Sequence, residues 1–313
     1  MIFSDIDAFR ASGFQARVCI IGTGPAGMAV ALQLAQARIP VVMLEAGSDE
    51  ITSESQEFYR GEVDGDPYFD LDTTRIRLLG GCSNHWAGWC RVMDTHDFDV
   101  RSWIPDSGWP IRRTDLDPYF GLVHNMLDLE DFRPNVPVSD DIDWVQLIKS
   151  PAVHLGEKYR TDLEKSERIA VVMNTMATDL AGDGTRVTAV NLWSRGVAAG
   201  SLVTDHVVVC TGGLENSRLL LWSNEKTNGA VVPKAAALGK YWMEHPQFEP
   251  AVALLFDESA FEWDVQGEAF FSPTAKAMER LGIMNFGARL IKSPYRGMKG
   301  LIADLACYAP DTS

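Results

Sequence analysis

"ARVCIIGTGPAGMAVALQLAQARIPVVMLEAG", residues 16–47, decides how the rest of the 313-residue chain is read. "RVCII" is a short β-branched run suited to a strand buried on both faces. Gly22-Thr23-Gly24-Pro25-Ala26-Gly27 follows at once, and "MAVALQLAQA" then places apolar residues at helical spacing. "VVMLE" is a second buried strand. A strand, a glycine turn, a helix and another strand form a βαβ unit, which predicts a parallel sheet.

The spacing has a chemical reason. Gly22 permits the tight turn from strand to helix, Gly24 lets backbone approach a pyrophosphate without a Cβ in the way, and Gly27 lets the helix pack close on the strand. Free N–H groups at the helix start, where Pro25 and Ala26 stand, face the phosphates. Glu45, followed by Ala46, ends the second strand, where a carboxylate accepts hydrogen bonds from a ribose diol and repels a 2′-phosphate. The unit therefore predicts a bound dinucleotide, argues against NADP, and does not separate FAD from NAD.

Composition sets the outer limits. With 46% apolar and 23% charged residues the chain is an ordinary globular protein, long enough for two domains. A net charge of −15 with no block of Lys or Arg argues against nucleic acid and anionic membrane surfaces as partners. No apolar run is long enough to cross a bilayer. Cysteines at 19, 82, 90, 210 and 307 form no CxxC pair and no even disulfide framework, so a reducing compartment is expected. The first 22 residues lack the basic, apolar and small-residue regions of a secretory signal, and the expected location is cytoplasmic.

"IRLLGGCSNHWAGWC", residues 76–90, is neither an ordinary surface loop nor a periodic element. Gly80-Gly81 suits backbone held against a planar or charged ligand. Ser83 and Asn84 can hydrogen-bond ring heteroatoms, while Trp86 and Trp89 offer flat apolar walls, as an isoalloxazine ring would require. Further on, "RIAVVMNTMATDL" and "DGTRVTAVNLWSRG" read as strands of a β-meander. "DHVVVCTGGLENSRLLLWS" repeats the buried strand, glycine turn and helix. There Thr211 and Gly212 let the chain pass close to an adenylate, with Ser217 in the following turn; Glu215, Asn216 and Arg218 read as helix caps and loop ties.

These motifs together resemble the glucose-methanol-choline (GMC) family of FAD-dependent oxidoreductases. The resemblance rests on "GTGPAG", "LEAG", the R-x-R-x-L-G-G-x-S run from Arg75 to Ser83, "GWPI", "DLDPYF", "VVVCTGGLENSRLLL" and "LGKYWMEHP", in family order over most of residues 16–246. "GGCSNHWAG" is most similar to the branch holding pyranose 2-oxidase and the flavin subunits of sugar dehydrogenases.

The resemblance implies an α/β fold. A Rossmann-like FAD-binding domain, with a parallel sheet and a β-meander, takes residues 14–120 and 166–246; a substrate-side α+β domain takes 121–165 and 247–313, truncated relative to the family. It implies FAD contacts from Arg77, Gly80, Gly81, Ser83, Asn84, His85, Trp86 and Ala87, with backbone near Ala177 against the adenine. His85 has two readings, a covalent bond to the flavin 8α-methyl carbon or a hydrogen-bonding neighbour of the ring.

The implied activity is oxidation of a CH–OH group of a sugar, glycoside or polyol by hydride transfer to flavin N5. The electrons then pass to oxygen, a quinone or a cytochrome. The family's catalytic histidine with its histidine or asparagine partner has no counterpart after His245, which stands before a proline and is the remaining candidate. The chain is thus expected to be a fragment, or a flavin-binding subunit to which a second polypeptide supplies the catalytic pair, or a degenerate scaffold. An NAD-dependent dehydrogenase explains "GTGPAG" but leaves "LGGCSNHW" without a role.

Overall fold

The computed structural model describes residues 1–292 apart from 245, 252, 254, 256, 258, 260, 261, 265 and 266. His245 and Cys307 lie outside the described residues. The chain divides into two compact units, Met1–Gly88 with Pro151–Glu244 and Trp89–Ser150 with His245–Ser313.

In the first unit, five strands form one parallel sheet in the order Ile2–Phe3, Ile169–Val172, Val41–Leu44, Val18–Ile21, His206–Val209. The three central strands are buried at every position. Their unalternating apolar runs require this, because a parallel sheet has both faces covered. One face, carrying Cys19, Ile21, Val42, Leu44, Ala170 and Val172, packs with Ile6, Phe9, Leu180, Val190 and Leu192. Helix Pro25–Gln36 packs on the strands with Met28 and Ala31 fully enclosed. A fully enclosed side chain of the size of Met28 contributes about 1.5–3 kcal/mol by leaving water.

Strands Thr175–Gly182, Val187–Ser194 and Val197–Leu202 form the antiparallel meander that the sequence predicts. Helix Gly213–Thr227 follows the last parallel strand and packs on the meander's first. It stops at Asn228, whose φ of 50° is the left-handed conformation that ends helices.

The second unit holds a four-stranded antiparallel sheet in the order Ala288–Ile291, Glu268–Pro273, Ile142–Val145, Val136–Pro137. Trp144, Ala269 and Phe271 form its small core.

The unit boundaries differ from those read in the sequence, for local reasons. Trp89–Cys90 pairs antiparallel with Ile148–Lys149, which draws residues 89–120 into the second unit. Residues 151–165 belong to the first: helices Leu155–Lys158 and Arg160–Lys165 bury Leu155 and Leu163 completely. Gly156 crosses the chain at Leu79 so closely that a Cβ there would stand 2.4 Å from the Leu79 carbonyl oxygen. No helix among the described residues is long and apolar enough to cross a membrane.

Candidate functional site

The carboxyl ends of the parallel strands open on a cavity of about 900 Å³, lined entirely by the first unit. That volume lies near the top of the range of about 300–1,000 Å³ for small-molecule sites. Gly22, Gly24, Pro25, Ala26, Glu45, Ala46, Arg77, Gly81, Ala177, Thr211 and Gly212, all singled out in the sequence, line it.

Two helices begin at this cavity. Helix Pro25–Gln36 has Gly24 as its N-cap and no side-chain cap. Pro25 brings no N–H, so the free donors of the first turn are the backbone N–H groups of Ala26 and Gly27. Helix Gly213–Thr227 starts after Gly212 and also has no side-chain cap. Both starts carry partial positive charge and unclaimed donors into one space, an arrangement suited to a ligand with two phosphates.

The glycines permit this geometry. Gly22 turns at φ +100°, and a Cβ there would meet the Cys210 carbonyl oxygen at 2.6 Å. Gly27 lies behind the cavity, where a Cβ would meet the Gly22 carbonyl oxygen at 2.0 Å.

Glu45 is buried and held from several sides. One carboxylate oxygen accepts the Gly47 N–H at 2.8 Å. The other accepts the Thr23 hydroxyl, with the Thr23 N–H at 3.4 Å. Burial pushes the Glu45 carboxyl above its ordinary 4.5, against the pull of the Thr23 and Gly47 hydrogen bonds and of the Arg77 charge. Thr23, fully buried, also accepts the Gly80 N–H at 3.1 Å. One hydroxyl thereby ties the glycine turn, the end of the second strand and the Gly80-Gly81 segment together.

The rest of the wall is aromatic and charged. Glu215, buried at the start of helix Gly213–Thr227, is paired with both Arg75 and Arg218. The Arg75 guanidinium lies 4.4 Å from the Tyr59 ring centroid and donates to the Leu71 carbonyl at 3.1 Å. Burial, with the charge of Glu45 adding to it, pushes the Tyr59 phenol to about 12, so it stays a neutral donor. Asn216 accepts from the Thr211 N–H at 2.8 Å and from its hydroxyl at 2.7 Å. Glu215, Asn216 and Arg218 thus have the tying roles that the sequence suggested.

Other sequence candidates point elsewhere. Ser83 and Asn84, expected to meet ring heteroatoms, are engaged by their own turn. Ser83 donates to the Gly80 carbonyl at 2.7 Å and accepts the Leu155 N–H at 3.1 Å. The Asn84 amide donates to the Leu79 and Gly81 carbonyls. Short polar side chains compete for nearby backbone in this way. Trp86 donates to the Val153 carbonyl at 3.1 Å and Ser217 to the Gly213 carbonyl at 3.0 Å. Neither lines the cavity, nor do Gly80, Ala87 and His85, the last two being exposed. Trp89 packs edge-on to Phe270 in the second unit, with ring centroids 5.2 Å apart.

Sequence reasoning missed Thr23, Phe58, Tyr59 and Arg75. Thr23 occupies a variable place in the glycine motif, and Phe58-Tyr59 lies in a stretch with no periodicity. In the second unit Asp94, His96 and Asp97 bring ligand atoms within 4.8 Å of one another. Arg91 and Asn135 take up Asp94, and Asn285 takes up Asp97, while the His96 Nε2 is buried without a hydrogen-bond partner.

No family model matches the sequence, and no curated protein matches it. Among solved structures, the chain is similar to pyridoxine 4-oxidase from Mesorbium loti, with a TM-score of 0.45 and 17% identity over 72% of this chain and 55% of that one. It is similar to an FAD-dependent oxidoreductase from Chaetomium thermophilum, with a TM-score of 0.46 and 14% identity over 67% and 48%. A fungal aryl-alcohol oxidase follows, with a TM-score of 0.44 and 14% identity over 65% and 47%. The chain spans about half the length of these proteins. Likenesses this distant bear on neither substrate nor mechanism.

Proposed function

We propose that the first unit binds FAD in its cavity and that the chain is the flavin-binding part of a GMC-type oxidoreductase acting on a CH–OH group. The observation that carries this reading is the opening of two uncapped helix starts on one dinucleotide-sized space, with Glu45 at the end of the second strand. The first turns of helices Pro25–Gln36 and Gly213–Thr227 would hold the pyrophosphate. Glu45 would accept from a ribose, and backbone at Ala177 and Thr211 would flank the adenylate. When bound, FAD supplies a hydride acceptor at flavin N5.

A sugar, glycoside or polyol substrate rests on the similarity of "SNHW" to one branch of the family. Oxygen, a quinone or a cytochrome as electron acceptor, and a second polypeptide as partner, belong to the same proposal. No histidine of the described residues lines the cavity, and the base that would take the hydroxyl proton is left unassigned. Cys19, Cys82, Cys90 and Cys210 form no disulfide among the described residues, which suits a reducing, cytoplasmic setting.

We read the FAD as non-covalent, because His85 is exposed and does not line the cavity. Purified protein should be yellow with flavin absorption bands, and acid precipitation should leave the colour in the supernatant. Colour in the pellet that disappears in a His85→Ala variant would reverse the non-covalent reading. A colourless protein that takes up NAD and no flavin would overturn the proposed function itself.

A further inference from the structure

Asp94, His96 and Asp97 lie on one tight turn of the second unit. The turn closes on itself, with the Asp97 N–H donating to the Asp94 carbonyl at 3.1 Å and the Asp94 N–H donating to the Asp97 carboxylate at 3.0 Å. One nitrogen or oxygen from each of the three side chains then stands within 4.8 Å of the other two. The side chains are mostly buried, between 14% and 23% exposed.

Their bonding is incomplete. His96 Nε2 is enclosed and has no hydrogen-bond partner, at 3.8 Å from Asp97 Oδ1. The Asn285 amide donates to both Asp97 oxygens, at 3.0 and 3.2 Å, yet its own Oδ1 is enclosed and unpartnered. Arg101 stands 3.9 Å from Asp97, with Nε and Nη1 in the same condition. Four enclosed atoms without partners thus gather around one carboxylate. Each costs free energy as it stands, and such a group in a native fold points to a missing partner.

The chemistry of the set narrows that partner. His96 Nε2 is enclosed too tightly for a water to reach it. A bare divalent ion is smaller. Ions of the zinc class take imidazole nitrogen and carboxylate oxygen at about 2.0–2.2 Å, which sets tetrahedral ligands about 3.4 Å apart, so small side-chain rotations on the turn close the set. Magnesium and calcium prefer oxygen ligands and fit the imidazole less well. Arg91 reaches Asp94 through one nitrogen and Asn135 through its amide, which leaves acceptor capacity on a carboxylate with about four lone-pair sites. Arg91 and Arg101 offset the two carboxylates and hold the affinity down.

We propose that His96, through Nε2, and the carboxylates of Asp94 and Asp97 form a structural site for one divalent ion of the zinc class. The ion pins the turn and, through the Asn285 amide on Asp97, a segment 188 residues further along the chain. The site lies wholly within the second unit and does not depend on the cofactor reading above.

The test is calorimetric titration of the full chain, dialysed against EDTA, with zinc chloride and with magnesium chloride, accompanied by thermal unfolding with and without zinc. The variants are His96→Ala, the nearly isosteric Asp97→Asn and, as control, His124→Ala, which removes another enclosed histidine nitrogen of the same unit. Circular dichroism shows that each variant is folded. The wild type should bind one zinc in this site, more tightly than magnesium, and zinc should raise its unfolding temperature. His96→Ala and Asp97→Asn should each lose about tenfold or more in zinc affinity and most of the temperature shift, whereas His124→Ala should behave as the wild type does.

A wild type that takes up no zinc overturns the proposal. So does zinc binding that His96→Ala and Asp97→Asn leave unchanged, which would place the ion on other surface groups, and so does magnesium bound as tightly as zinc. Zinc binding lost in His124→Ala and kept in His96→Ala would move the site and overturn the assignment of its ligands.

Discussion

Replacing Gly27 by alanine is expected to cost at least about 3 kcal/mol of folding stability and to abolish FAD uptake. The added methyl would stand 2.0 Å from the Gly22 carbonyl oxygen and 3.4 Å from the Cys210 Cβ. Neither neighbour has room to retreat. The Gly22 N–H is bonded to the Leu44 carbonyl at 2.9 Å, and Gly22 itself already lies against the backbone of Cys210. The helix must lift from the sheet, carrying its free N–H groups away from the cavity.

Urea unfolding of the variant measures the loss. Gly121→Ala is the control: that glycine lies within helix Phe120–Leu127 with nothing near its absent Cβ. There alanine should be neutral or stabilising by up to about 1 kcal/mol. Equal midpoints for wild type and Gly27→Ala would show that the helix does not pack on the strand as described.

Thr23→Val keeps the shape of the side chain and removes its hydroxyl. Two buried groups lose a partner at once, the Glu45 carboxylate and the Gly80 N–H. The expected loss at neutral pH is about 2–4 kcal/mol. It should also depend on pH. Burial raises the folded-state pKa of Glu45 above 4.5, so its contribution to stability is fully present below about 4.5 and is lost as pH rises through the raised value. Removing a donor to the carboxylate raises that value further. The deficit of Thr23→Val relative to wild type should therefore be smaller near pH 4, where the loss at the Gly80 N–H remains, and larger at pH 7. A deficit independent of pH would mean that the hydroxyl does not serve the Glu45 charge.

The parts of this architecture legible in the sequence are those whose chemistry is local. "RVCII", "VVML" and "VVV" are apolar on both faces, and only a covered parallel sheet satisfies them. Gly22 and Gly27 announce a strand and helix in close contact, because no other residue fits there. What the sequence hid depends on distant partners. Arg75 and Glu215 are 140 residues apart, and neither side chain indicates the other. Thr23 gains its meaning only from Glu45 and Gly80, 22 and 57 residues away. Ser83 and Asn84 resemble ligand contacts in composition, yet the short turn Gly81–Asn84 and its neighbours use their polar atoms. The boundary at residue 88 hangs on a two-residue strand pair that no periodicity could reveal.

One cavity, framed by two helix starts, is proposed to take an adenine dinucleotide. Calorimetric titration of the cofactor-free chain with FAD, and separately with FMN, tests it most directly. One FAD per chain is expected, with FMN bound more weakly by about a hundredfold or more, since FMN lacks the adenylate that Glu45, Arg77 and the second helix start would hold. Equal affinity for FMN and FAD, or no binding of FAD, would contradict it.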